Sequence, residues 1–300
     1  MFASSLLLTL LPLAAQVQGA HVVISNDDGW AEINIREFYN SLDAAAFDAI
    51  ISAPADNESG TGSRDKEPTP VADDGCEFGS CPAGSPPFGN NASMPRFNYV
   101  NSYPVTSMRY GLQNLSQIYF GGPPDIAVAG PNVGTNLGLV TTISGTVGAA
   151  TEAAKEGFPA LAFSGSSGSQ TAWTAPVESY MRIYADLSTN VTQTIVDAGK
   201  PYLPQGIWLN VNYPAVDDAC SEAGDFKFVL SRVYPAIPVV TKDVETCGSD
   251  QLPTERDVVG TDGCYASVSV ANTSKLDVDA ATQAVVLKKL QPILSCLPEK

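Results

Sequence analysis

Residues His21–Gly29 read HVVISNDDG, and this stretch decides the fold. Its first five residues form a short apolar run rich in β-branched side chains, which predicts a buried strand. The run stops at Asn26-Asp27-Asp28-Gly29, turn-forming and charged residues at the strand's carboxyl end. The same pattern returns along the chain. Phe47–Ala53 (FDAIISA) is a second strand, ended by Pro54, and Asp125–Ala129 (DIAVA) a third. Pro159–Ser164 and Ile207–Val211 are the fourth and fifth. Helical spacing lies between them. Ile35, Phe38 and Leu42 share one helix face, and Ser144–Glu156 forms another helix, capped by Ser144 and closed by Gly157. Continuously apolar strands alternating with helices imply an α/β fold whose mostly parallel sheet is covered by helices on both faces.

Two regions depart from this pattern. Residues 61–95 are rich in Gly, Pro and polar side chains and read as a surface insertion. Beyond Pro214 the periodicity blurs until Ala280–Leu294, a helix with Val286, Leu290 and Ile293 on one face. Residues 21–300 are therefore read as a single domain, with an insertion at 61–95 and a divergent C-terminal part over 215–300. No internal repeat is visible.

Of 300 residues, 44% are apolar and 16% charged, enough for a large core. Thirty-two acids against sixteen bases give a formal charge of −16, which argues against binding nucleic acid through a basic surface. The single histidine, His21, excludes any His-rich zinc site. Residues 1–20 carry no charged side chain. Their apolar run Leu6–Ala15 is too short to span a bilayer, the shape of a signal peptide cleaved after Gly19 or Ala20. No other stretch approaches a membrane span. The even set Cys76, Cys81, Cys220, Cys247, Cys264 and Cys296 then predicts three disulfides, with Cys76–Cys81 closing a small Gly/Pro-rich loop. Sequons begin at Asn57, Asn91, Asn114, Asn190 and Asn272. The expected location is extracellular, for a secreted glycoprotein.

Ligands of an open parallel sheet bind outside the carboxyl ends of its strands. Asn26–Gly29, Asp56–Gly60 and the loop holding Asn132 and Asn136 all fall there. Together they offer carboxylates, a hydroxyl and amide oxygens, a donor set that suits a hard cation such as Mg²⁺, Mn²⁺ or Ca²⁺. Ser144-Gly145-Thr146 opens a helix beside them, where free N–H groups and the helix dipole favour an anion. A hard cation facing an anion pocket is the layout of metal-assisted phosphate-ester hydrolysis.

At these residues the chain resembles the SurE family of metal-dependent phosphatases and nucleotidases. The resemblance runs through VVISNDDG (Val22–Gly29), APADNESG (Ala53–Gly60), PDIAVAGPNVGTNLG (Pro124–Gly138), SGTVGAATEA (Ser144–Ala153) and LNVNYP (Leu209–Pro214). It implies a Rossmann-like sheet and one divalent metal held by Asp27, Asp28, Ser59 and Asn132. It also implies a phosphate site lined by Asn136, Ser144, Gly145 and Thr146, a small phosphorylated substrate, and raises a homo-oligomer. The family's Gly-Thr-Pro segment is degenerate here as Ser102–Leu112, and the insertion and the end beyond Pro214 fall outside the five motifs. These departures point to a secreted eukaryotic, fungal branch with acid phosphatase activity.

Each residue also has a plainer reading. Asp27 and Asp28 are common turn residues, Ser59 an ordinary loop hydroxyl, Asn132 and Asn136 turn formers, and Ser144 simply a cap. Adjacent like charges at a strand end are costly without a cation, and that favours the metal. Ser59 completes the Asn57 sequon, so a glycan there would crowd the site, and Asn57 is expected to be unmodified. A Ser-His-Asp hydrolase lacks its G-x-S-x-G elbow, and no G-x-G-x-x-G or G-x-x-x-x-G-K-[ST] is present. The expectation is a secreted metal-dependent phosphomonoesterase in which Asp27 or Asp28 helps activate water. With no histidine to protonate the leaving group, an acidic working pH is expected. The rival is a non-catalytic secreted protein that keeps the fold and binds a metal or ligand, its pocket closed by Ser102–Leu112.

Overall fold

The computed structural model describes residues 19–298, so the expected signal peptide lies outside the described residues apart from Gly19 and Ala20. In chain order the elements are β1 (His21–Ser25), α1 (Ile33–Ala44), β2 (Asp48–Pro54), β3 (Phe88–Asn91), β4 (Met94–Val100) and α2 (Pro104–Tyr110). A wider turn over Gly111–Leu115 continues α2 into α3 (Ser116–Tyr119). Then come β5 (Ile126–Val133), α4 (Gly145–Lys155), β6 (Ala160–Gly165), α5 (Ser179–Asp197) and β7 (Ile207–Tyr213). The chain closes with β8 (Lys227–Ser231), α6 (Glu255–Val259), β9 (Tyr265–Asn272) and α7 (Ala280–Leu290). Among the described residues no helix is long and apolar enough to cross a membrane.

The strands form one sheet in the order β3-β4-β2-β1-β5-β6-β7-β9-β8. Strands β4, β2, β1, β5, β6 and β7 run parallel, β3 and β9 are antiparallel to β4 and β7, and β8 is parallel to β9. Side chains of a strand alternate between faces, so each central strand feeds two cores. Val22 and Ile24 point into one, with Ile35, Phe38 and Leu42 of α1 and Tyr184, Leu187 and Val191 of α5. Val23 points into the other, with Met108, Leu112 and the alanines of α4. Burying each large side chain stabilises the fold by about 1.5–3 kcal/mol. The close approach on the second face needs small residues. A Cβ on Gly111 would lie 2.6 Å from Val23 and 2.8 Å from Ser52.

The chain leaves β1 to build β2 and β4 on one side, then returns to lay β5 on the other. The strand order therefore reverses between β1 and β5, which opens a crevice at their carboxyl ends.

Several expectations are corrected. Residues 61–95 are not only surface: they supply the edge strand β3 and bury Val71, Cys76 and Cys81. The end beyond Pro214 adds β8 and β9 to the sheet. The third strand runs on to Val133, because Asn132 and Val133 pair with Ser164 and Gly165 past an irregularity at Ala129. The last helix stops at Leu290, just before Pro292, although Val286 and Leu290 are buried as expected and Ile293 packs against the core. Cys76–Cys81 is joined as expected, and the other bridges are Cys220–Cys264 and Cys247–Cys296.

Candidate active site

The crevice is built from the NDDG turn outward. Asn26 closes that turn on itself, accepting from the Gly29 N–H at 3.2 Å and donating to the Gly29 carbonyl at 2.8 Å. Gly29 has φ +107°, and a Cβ there would meet the Glu77 carboxylate at 1.8 Å, so only glycine fits. Asp27 and Asp28 are thereby held at the tip, 3% and 1% exposed. Asp27 faces the start of α4: its carboxylate accepts from the Gly145 N–H at 2.9 Å and the Thr146 hydroxyl at 2.5 Å. A carboxylate and a helix N-terminus satisfy each other, because the first N–H groups have no partner inside the helix. Asp28 accepts from the Val133 N–H at 2.9 Å and the Gln170 amide at 2.6 Å.

The neighbourhood is strongly acidic. Burial raises the Asp27 carboxyl above its ordinary range, against the lowering effect of its hydrogen bonds to Thr146 and Gly145. Burial, then the charges of Asp27, Glu32 and Glu77, push Asp28 well above it. Desolvation also carries Glu32 to about 8, and Glu77, with Asp56 and Glu32 nearby, to about 8. Among the described residues no Lys or Arg reaches ion-pair distance of Asp27 or Asp28. Such charge in a dry site calls for a cation. No group of three or more His, Cys, Asp or Glu among the described residues is arranged to hold one. The pair would need its further donors from amide and hydroxyl oxygens.

The expected residues converge unequally. Asn132 joins directly, with its Oδ1 3.4 Å from the Thr146 hydroxyl. The second loop is tied in by the Glu58 N–H, which donates to the Asp27 carbonyl at 2.7 Å. Ser59 follows, exposed, its N–H on Asn57 and its hydroxyl without a hydrogen bond among the described residues. The expected phosphate donors have partners within the protein. Gly145 and Thr146 are engaged by Asp27, Ser144 caps α4 by accepting from the Val147 N–H, and the buried Asn136 amide donates to Ser164. The helix start holds the protein's own carboxylate. Pro104, in the degenerate segment, stands against the same point, 2.9 Å from where a Gly145 Cβ would be.

Gln170 and Glu77 were not anticipated. Gln170 lies in an ordinary-looking polar loop that is drawn in when Ile33 and Trp173 bond to Thr171 and Ala31. Glu77 sits beside Cys76, within the stretch read from sequence as a surface insertion.

The second loop rests on α4 without a gap. A Cβ on Gly148 would stand 1.9 Å from the Gly62 carbonyl oxygen, a backbone atom that yields only if the loop retreats. Gly148→Ala is expected to lose about 1–3 kcal/mol despite alanine's better helix propensity. If Ser59 serves as the expected metal donor, moving it should also weaken metal binding. Thermal melts with and without Mg²⁺ check this, and a variant more stable than its parent would sink it.

Comparison with known proteins agrees with this geometry. The family model described as "Survival protein SurE" matches residues 22–231, so the match spans the 61–95 insertion and runs past Pro214 to the end of β8. An acid phosphatase from the fungus Yarrowia lipolytica is 34% identical over 297 residues, covering 86% of this chain and 80% of that protein. A 5'-nucleotidase SurE from Lawsonia intracellularis is 28% identical over 196 residues, 65% of this chain and 66% of its own length. The crystal structure of the SurE protein from Aquifex aeolicus superimposes with a TM-score of 0.58 at 21% identity, covering 90% of this chain and 99% of that one. Motif order, sheet topology and the span of the family model agree, and the chain belongs to the SurE family.

Proposed function

We propose that this protein is a secreted, divalent-metal-dependent phosphomonoesterase of the acid phosphatase or nucleotidase type. The observation that carries the reading is the Asp27–Asp28 pair: two adjacent carboxylates, buried at the switch point of the sheet, oriented by backbone N–H groups and lacking a basic partner among the described residues. The acid phosphatase and 5'-nucleotidase relatives support it. An all-oxygen set of Asp27, Asp28, Asn132 and Ser59 fits a hard cation such as Mg²⁺, Mn²⁺ or Ca²⁺. Such a cation, when bound, neutralises phosphoryl oxygens and lowers the pKa of water.

The chain's own groups do the positioning. The α4 start aims Asp27, and Val133 with Gln170 aims Asp28, so both carboxylates meet a ligand without reorganising. The phosphoryl group of a small substrate would sit over this pair, beside the Asn136 segment and the Ser144–Thr146 turn. Secretion, sequon use at Asn91, Asn114, Asn190 and Asn272, and a homo-oligomer belong to the same proposal.

Hydrolysis of an aryl phosphate near pH 5 tests it, run with Mg²⁺ or Mn²⁺ and again with excess EDTA. Turnover that EDTA abolishes and metal restores is the expected result. Turnover untouched by EDTA would overturn the metal, and none with any divalent ion would overturn the reaction.

A further inference from the structure

The segment 133–145 joins the two carboxylates of the site. Its first N–H, from Val133, lies on Asp28, and its last, from Gly145, lies on Asp27. Between these ends its regular structure is one short 3-10 turn, Gly138–Thr142, and two buried ionisable side chains grip it. Glu255, fully buried at the start of α6, accepts from the Gly138 N–H at 3.1 Å and from the Asn210 amide at 2.7 Å. The same Asn210 amide donates to the Asn136 carbonyl at 2.9 Å. Lys275, 9% exposed after β9, donates to the Thr141 carbonyl at 3.1 Å and the Thr142 carbonyl at 3.4 Å.

Neither side chain has an ion-pair partner among the described residues. Desolvation raises Glu255 to about 7, with Asp277 adding to it, and lowers Lys275 to about 8, with Lys155 adding to it. An unpaired buried charge is a standing expense to a fold unless hydrogen bonds hold it. Here Lys275 places both of its bonds on one segment, and Glu255 places one there directly, on Gly138, and holds the Asn210 amide that bonds to Asn136. Both residues lie beyond residue 231, where the family-model match ends.

We propose that Glu255 and Lys275 are positioning residues for hydrolysis: from the C-terminal part of the chain they pin residues 136–142 and so keep the donors at either end aimed at Asp27 and Asp28. They touch neither metal nor substrate. The inference rests on the phosphatase reading above.

The test compares Glu255→Gln, Lys275→Met, Lys275→Arg and a control, Lys289→Met. Lys289 makes the same kind of bond, to the Gly199 carbonyl at 2.9 Å, on a loop remote from the crevice. Aryl phosphate hydrolysis with Mn²⁺ is measured well below each melting temperature, together with inhibition by inorganic phosphate. Misplacing reactive groups by about 1 Å costs on the order of 100-fold, so kcat of Glu255→Gln and Lys275→Met should fall by roughly 10- to 100-fold. The phosphate inhibition constant should rise, Lys275→Arg should recover most of the loss, and Lys289→Met should keep kcat within about twofold even if it melts earlier. Folded Glu255→Gln and Lys275→Met with kcat and phosphate inhibition both within about twofold of the parent would overturn the proposal. Amide hydrogen exchange over 133–145 reads the pinning without turnover. An inactive parent therefore counts against the hydrolytic reading alone, and unchanged exchange in both variants overturns the pinning.

Discussion

Asp27→Asn should lower aryl phosphate hydrolysis by roughly 10³-fold or more while leaving the fold intact. The geometry supports both halves of this result. An asparagine Oδ1 still accepts from the Gly145 N–H, and its amide donates to the Thr146 hydroxyl, which then turns toward the Asn132 Oδ1 3.4 Å away. The helix start therefore stays satisfied. What disappears is one of two adjacent buried charges. Burial holds Asp27 above its ordinary range, so its ionised form opposes folding when no cation is present, and the metal-free variant should melt no earlier than its parent. With metal the order reverses. A ligand at 100 times its Kd stabilises by about 2.7 kcal/mol, and the variant should lose most of that gain. Melting curves with and without Mn²⁺, beside the hydrolysis assay, separate the outcomes. Hydrolysis at the parent rate would remove Asp27 from the site.

A large stability effect is expected from Cys220→Ser with Cys264→Ser. The bridge spans 44 positions and ties the end of the β7 connection to the entry of β9, where the Lys227 N–H donates to the Cys264 carbonyl at 2.8 Å. Closing a loop of that size restrains the unfolded chain by about 4 kcal/mol, within the roughly 2–5 kcal/mol typical of native bridges. Urea unfolding should show a lower midpoint and a larger m-value, because the freed chain exposes more surface. A loss under about 1 kcal/mol would mean that β8 and β9 hold that end without help. Activity at low temperature should persist, since the bridge lies outside the crevice.

How much of this was legible before the structure follows from what each segment buries. Central parallel strands are apolar on both faces, so HVVIS, the run at Phe47–Ala53 and DIAVA announced themselves. Strand β9, YASVSVAN, runs antiparallel to β7, one strand in from the edge, and alternates valine and alanine with serine. Ser267 and Ser269 are fully buried all the same, and burial of that kind cannot be read from polarity. Helix α5 carries Tyr180, Ile183, Tyr184, Leu187, Val191 and Ile195 at helical spacing, a signal diluted by its Ser, Thr and Asn content. In the site, Asp27 and Asp28 were legible because adjacent acids at a strand end need a reason. Gln170 and Glu77 were not, since only tertiary bonds bring them to the NDDG turn. Gly145 shows the same limit: a helix start reads as an open anion site, and only the fold shows Asp27 on its N–H.

The two margins of the sheet carry a consequence for the protein in concentrated solution. An unpaired strand margin templates pairing with other chains, and a nine-stranded sheet has two of them. At one end β3 is only four residues long and breaks register between Asn90 and Asn91. At the other, the Ser295 N–H donates to the Phe228 carbonyl at 2.7 Å, so the chain's own tail lies along β8, and Cys247–Cys296 fastens that tail in place. One margin is too short to recruit a stranger and the other is bridged at Phe228, which leaves the described residues with no long ribbon on which to aggregate.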